Sequence, residues 1–166
     1  MPVRLSARRL VCTRRANVLS SPNDKNRAEV LRAEGLGEGH GCPEKLDVWK
    51  RACRLSADIY KLIGGCANFG FRDQLGRSAL SIASNIAEGY GRESVKERIH
   101  FLRIAKASSY EAWTQILIGI ESGLIDRKIG LEKSEEVIQI SKMIYGLIAH
   151  IERSAGGKGQ GRNPRP

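Results

Sequence analysis

The sequence predicts an all-α protein: an antiparallel, up-down-up-down four-helix bundle with disordered basic tails. Three observations carry this expectation. Apolar residues recur at steps of three and four in four successive stretches between residues 43 and 154. The breaks between those stretches are short and glycine-containing, which makes consecutive helices antiparallel neighbours. β-branched runs bounded by turn residues, the mark of strands, are absent.

The elements follow in chain order. Residues 1–42 show no sustained periodicity and end in the glycine-rich GLGEGHGC, so they are expected to be a disordered basic extension and linker. Ala28–Glu34 has room for a helical turn or two but no apolar face to bury. A first helix is expected along Leu46, Trp49, Cys53, Ser56, Tyr60 and Ile63, an apolar seam that ends at Gly64-Gly65 through Gly70. A second carries Leu75, Ala79, Ile82 and Ile86 inward. Its stretch Arg77–Arg92, RSALSIASNIAEGYGR, alternates small and apolar residues, which lets two helix backbones approach closely. Gly89 and Gly91 then stand where the helix is expected to stop and reverse in a left-handed C-cap. A long third helix presents Ile99, Leu102, Ala105, Ser109, Trp113, Ile116 and Ile120, with a break around Gly123–Gly130. A fourth presents Val137, Ile140, Ile144, Leu147 and Ile151. Residues 155–166, AGGKGQGRNPRP, are expected to be a disordered basic tail, leaving the bundle at 43–154. The glycines there do not form a phosphate loop, which needs a strand before it and a helix after.

Charge is unevenly spread. Of the formal net charge of +10, residues 1–42 hold 8 Arg/Lys against 4 acids, residues 155–166 hold 3 against none, and residues 43–154 hold 17 against 14. Basic tails favour nucleic acid or other polyanions, although solvated tails without a role have the same composition. The apolar stretches are too short to cross a membrane. The N-terminal stretch lacks the apolar core of a secretory signal. Being Arg-rich and acid-free up to Asp24, it has the flavour of a transit peptide, but a disordered tail or a misassigned start codon would read the same way. Cys12, Cys42, Cys53 and Cys66 form neither a C-x-x-C pair nor a zinc spacing. Reduced thiols are expected, Cys53 within an apolar face, and with them a cytoplasmic location.

The core resembles the four-helix-bundle family of 23S rRNA intervening-sequence proteins, also labelled S23-type, and is similar to the accessory variability determinant proteins of diversity-generating retroelements. The resemblance rests on Lys45-Leu46-x-Val48-Trp49 and Tyr60, on Gln74-Leu75-x-Arg77-Ser78-Ala79, and on Ser81-Ile82-x-Ser84-Asn85-Ile86-Ala87-Glu88-Gly89 followed by Gly91-Arg92. Phe101-Leu102-x-Ile104-Ala105-x-Ala107-Ser108 and Glu111 continue it, so that it covers roughly residues 44–152. Two prolines usual in the family are missing, at Ala83 and near Asn68, which should alter a bend and a turn rather than the fold. The resemblance implies a ring-shaped homopentamer and, through the retroelement relatives, nucleic acid and a reverse transcriptase as partners.

No catalytic constellation emerges, and no cofactor or metal is expected. Glu97-x-x-His100 is half of a di-iron motif, but Leu147 stands three residues before His150 and His40 lies in the linker, so the second half is missing. Arg77, Asn85, Glu88, Ser108 and Glu111 are expected to form a buried polar network fixing helix register; a ligand site or a subunit contact are the other possibilities. Nucleic-acid binding is expected from Lys50, Arg51, Arg54 and Lys61 along the first helix, and from Arg92, Lys96 and Arg103 on the turn and outer face of the third. Interleaved acids (Glu44, Asp47, Asp58, Glu93 and Glu97) also fit a plain solvated face. Tyr110, Trp113, Ile118 and Tyr145 add apolar surface beyond the inward seams and favour a subunit contact. The resulting expectation is a non-enzymatic homo-oligomer that binds nucleic acid, preferentially RNA. The alternative is a scaffold that docks a partner enzyme.

Overall fold

A computed structural model describes residues 43–156. A 3-10 turn over Pro43–Lys45 leads into α1 (Asp47–Ile63), α2 (Phe69–Tyr90), α3 (Val95–Glu121) and α4 (Arg127–Gly156). The extension expected over residues 1–42 and the tail from residue 157 onward lie outside the described residues, while Ala155 and Gly156 continue α4.

Each helix packs on two others: α1 on α2 and α4, α2 on α1 and α3, α3 on α2 and α4. Residue numbers rise on one helix as they fall on its neighbour. Ser81 meets Ser108, Arg51 meets Glu136, and Arg103 meets Glu152. The arrangement is the expected antiparallel four-helix bundle, and α4 closes it against α1. Among the described residues there is no strand. Its core holds Leu55, Ile59, Leu75, Ile82, Ile86, Ile116, Ile140 and Ile144, all at most 2% exposed, with small residues such as Ala52, Ala79, Ala105 and Ala112 between them. Large and small side chains alternate, so the helices interdigitate without aromatic bulk.

The seams of α2, α3 and α4 match the periodicity; that of α1 does so only in part, with Ser56 and Ile63 buried as expected. Val48, Ala52, Leu55, Ile59 and Ile63 point into the core there, whereas Tyr60 is 47% exposed. Leu46, Trp49 and Cys53 pack only at the margin of the core. Both strips of α1 are apolar, and a helical period does not say which of two adjacent strips faces inward.

Glycine also acts differently from expectation at the α2–α3 turn. Gly91 caps α2 in an ordinary right-handed conformation, φ −74°. Gly89 lies inside the helix, where a Cβ would come within 3.1 Å of both the Arg98 carbonyl oxygen and Phe101 Cβ. Its lack of a side chain lets α3 approach α2. The left-handed position is Gly123, φ +71°. Leu124 N donates to Gly119 O and Gly123 N to Ile120 O, the paired bonds of a Schellman cap. The break is shorter than expected, because Gly130 is already in α4. Asn68, where the family pattern has proline nearby, caps α2 by accepting from Phe71 N at 3.0 Å. Asp126 Oδ1 caps α4 by accepting from Lys128 N and Ile129 N at 3.0 and 3.1 Å.

Candidate nucleic-acid interface

The cations of α1 divide into two groups. At 100° per residue, Lys50, Arg54 and Lys61 share one outward stripe, and Arg51 is turned away from it toward α4. Its Nε and Nη2 donate to the two carboxylate oxygens of Glu136 at 2.8 and 2.6 Å, and Nη1 lies 3.4 Å from Met143 Sδ. Both partners are about one-third exposed, 33% and 34%. This charge-assisted fork lowers the Glu136 pKa and raises that of Arg51, chiefly through the shared hydrogen bonds. Arg51 therefore fastens α1 to α4 and does not stand on the outer side of α1. Farther along the same pair, Lys133 Nζ donates to Asp58 at 2.9 Å and to Glu132 at 3.2 Å. Burial works to lower the Lys133 pKa, but these two acids outweigh it and hold the ammonium above its usual range.

Among the remaining cations, Lys50 makes an exposed pair with Asp47 at 3.3 Å. Arg54, Lys61 and Lys96 are exposed and make no ion pair among the described residues. Arg92 pairs with Glu88 one turn back and covers the Phe101 ring at 4.9 Å. Arg103 reaches Glu152 at 3.4 Å and is 68% exposed. An outward cationic surface thus exists on α1, with Arg51 and Arg92 committed to neighbours.

The polar network expected around Arg77 is built from other residues. Arg77 is 70% exposed and touches only Asp73, at 3.7 Å, among ion-pair partners. The α2 core runs through Leu75 and Ala79, and Arg77 lies two residues from each, on the opposite side of the helix. Glu88 and Glu111 are exposed as well. The groups that join α2 to α3 are small. Ser78 Oγ lies 2.7 Å from Gln115 Oε1, and Ser81 Oγ lies 2.8 Å from Ser108 Oγ. Asn85 Nδ2 donates to Ser81 O and Oγ at 2.8 and 2.9 Å. Of the five residues expected in the network, Asn85 and Ser108 belong to it; Ser78, Ser81 and Gln115 replace Arg77, Glu88 and Glu111.

His100 is exposed, and among the described residues no three His, Cys, Asp or Glu side chains gather as metal ligands. Cys53 and Cys66 are half-buried. Among the described residues no helix is long and apolar enough to cross a membrane.

The large exposed apolar side chains include Tyr60, Phe69, Val95, Leu124, Ile129 and Leu131, and two further groups bear on partners. Leu80, Ile104 and Ile118, 48%, 36% and 55% exposed, belong to α2 and α3. Tyr110, Trp113, Ile138 and Tyr145 line a groove between α3 and α4 together with Lys106 and Lys142. These two lysines were not singled out from the sequence. The available signal was a lysine one turn from a tyrosine on each helix, Lys106 to Tyr110 and Lys142 to Tyr145, but their convergence depends on how α3 and α4 pair.

A bundle with this connectivity and an Asn-Ile-Ala-Glu-Gly end to its second helix matches the model of one family over residues 44–146, described as 23S rRNA-intervening sequence protein. The chain belongs to that family. A solved structure described as a protein with unknown function from the S23 ribosomal protein family of Bacteroides thetaiotaomicron is similar, with a TM-score of 0.58 and 25% identity over 61% of this chain and 97% of that one. No curated protein matches the chain. Within this intervening-sequence family frame, the Ser81, Asn85 and Gly89 positions of the family-like segment have a structural role: Ser81 and Gly89 meet α3, and Asn85 hydrogen-bonds Ser81 within α2.

Proposed function

We propose that this intervening-sequence family protein is a non-enzymatic, cytoplasmic homo-oligomer, a pentameric ring by resemblance, that binds nucleic acid, preferentially RNA, through its basic surface. The observation that carries the reading is the outward stripe of Lys50, Arg54 and Lys61, one copy per subunit, on a chain with a net charge of +10. Phosphate contacts need only accessible cations at fixed spacing, and a ring repeats the stripe so that weak contacts add. Lys96 and Arg103 add further exposed cations on α3, which packs on α2 and α4 and not on α1. Leu80, Ile104 and Ile118 offer apolar surface for the contact between copies. Those same residues favour a second reading, a scaffold that docks a partner enzyme such as a reverse transcriptase without touching nucleic acid.

Filter binding of a generic RNA from low to moderate salt separates the two. The nucleic-acid reading expects log affinity to fall linearly with log salt, by about 0.7 per phosphate contact on a single strand and about 0.9 on a duplex. Arg54→Glu with Lys61→Glu should weaken retention at every salt concentration. No retention at the lowest salt would favour the scaffold.

A further inference from the structure

The groove between α3 and α4 has a volume of about 410 Å³, within the range of clefts that hold small planar ligands. Two tyrosine rings stand at its mouth, Tyr110 56% and Tyr145 62% exposed. Lys106 Nζ lies between them, 6.0 Å from the Tyr110 ring and 5.1 Å from the Tyr145 ring. Lys142 borders the same space, and no carboxylate lines it. Such a surface combines flat π faces with uncompensated positive charge.

We propose that this groove is a stacking site for single-stranded nucleic acid, in which a base lies against Tyr110 or Tyr145 and Lys106 and Lys142 take the flanking phosphates. The proposal rests on the nucleic-acid reading above and assigns it a second, strand-selective site apart from the α1 stripe. Charge decides the occupant. An apolar helix or a second copy seated here would bury the Lys106 ammonium between two rings with no acid in the groove to compensate it. Lysine is depleted at the centres of protein interfaces for that reason. A single strand supplies both complements at once, π faces for the rings and anions for the lysines. A base entering the groove displaces Lys106 from the rings onto a phosphate, so the ammonium keeps an electrostatic partner. A duplex cannot use the rings, because its bases are already stacked on each other. The α1 stripe makes no such distinction, since it meets phosphates alone.

The test uses the full chain, a short oligouridylate and a duplex RNA of the same length. Trp113 lines the groove and serves as the reporter. Oligouridylate should quench tryptophan emission in the unaltered chain and in Trp49→Phe, and not in Trp113→Phe. Tyr145→Ala should weaken oligouridylate binding about tenfold, the loss expected for one stacked base. Tyr145→Phe should retain it, and duplex affinity should change less than twofold in either variant. Melting followed by circular dichroism establishes that each variant is folded. If both RNAs bind but Trp113 is silent and Tyr145→Ala has no effect, the groove assignment is wrong and the nucleic-acid reading stands. If neither RNA binds at the lowest salt, both fall. A drop in oligomer mass for Tyr145→Ala would make the groove the seat of a second copy and overturn the proposal.

Discussion

A methyl group at Gly89 would sit 3.1 Å from the Arg98 carbonyl oxygen, where backbone rather than a flexible side-chain end has to yield. Gly89→Ala should therefore destabilise the bundle by about 1–3 kcal/mol, the usual range for overpacking. Arg77→Ala, on the same helix, should change stability by no more than about 0.5 kcal/mol, because a single exposed pair with Asp73 is worth little. Chemical denaturation of the two variants beside the unaltered chain checks both values. Equal midpoints for Arg77→Ala and Gly89→Ala would contradict this placement. Arg77 illustrates what was legible at this scale. Its side of the helix follows from its distance to Leu75 and Ala79, but a charged residue within a run of small ones also fits a buried network, and spacing within one helix does not show what the neighbouring helix covers. The residues that complete the network, Ser78 and Ser81 on α2 and Gln115 on α3, have short or ordinary side chains that do not mark it until the pairing of the two helices is known.

Among the elements, α4 shows how a helix start can be set by one side chain. Asp126 Oδ1 accepts from two backbone N–H groups that have no partner within the helix. Asp126→Ala should cost about 1 kcal/mol, and Asp126→Asn should recover most of it; thermal melts of the pair distinguish the cap from a charge effect. Closure of α1 on α4 is electrostatic at Arg51–Glu136. The Glu136 pKa is lowered in the fold, so its contribution is complete above the ordinary carboxylate value of 4.5 and disappears as pH falls through the lowered pKa. The raised values of Arg51 and Lys133 act in the same pairs: they contribute below their unfolded pKa, across the neutral range, until the partner carboxylates are protonated. Hence Glu136→Gln should lose about 1 kcal/mol at pH 7. Its stability should approach that of the unaltered chain on acidification through the lowered Glu136 pKa, as measured by urea unfolding at pH 7 and at successively lower pH. A constant gap between the chains at all pH values would show that the fork contributes nothing through its charge. The order and type of the helices could be read from spacing alone. The inward strip of α1 and the start of α4 could not. Two adjacent apolar strips compete on α1. Gly130 resembles a breaker in sequence, yet in α4 it makes room for Ile120 and Ile125, whose atoms come within 2.6 and 3.0 Å of the place a Cβ would take.

At the scale of the molecule, the basic surface and the exposed apolar residues both call for partners. Family membership and the bundle were legible because the Ser-Ile-x-x-Asn-Ile-Ala-Glu-Gly segment and the apolar periods lie in single helices. The candidate site was less so: the ion pair of Arg51 with Glu136, and the meeting of Lys106 and Lys142 with Tyr110, Trp113 and Tyr145, arise between elements distant in sequence. One sedimentation-velocity experiment addresses the central claim, that repeated copies of this bundle present a basic surface to RNA. The chain is run with a dye-labelled RNA and read at the wavelength of the dye. At low salt the RNA should move as a discrete complex whose protein mass is a multiple of 18.3 kDa, and it should return to its free rate as salt rises. RNA that sediments at its free rate even at the lowest salt, or with a single 18.3 kDa chain, would contradict the account.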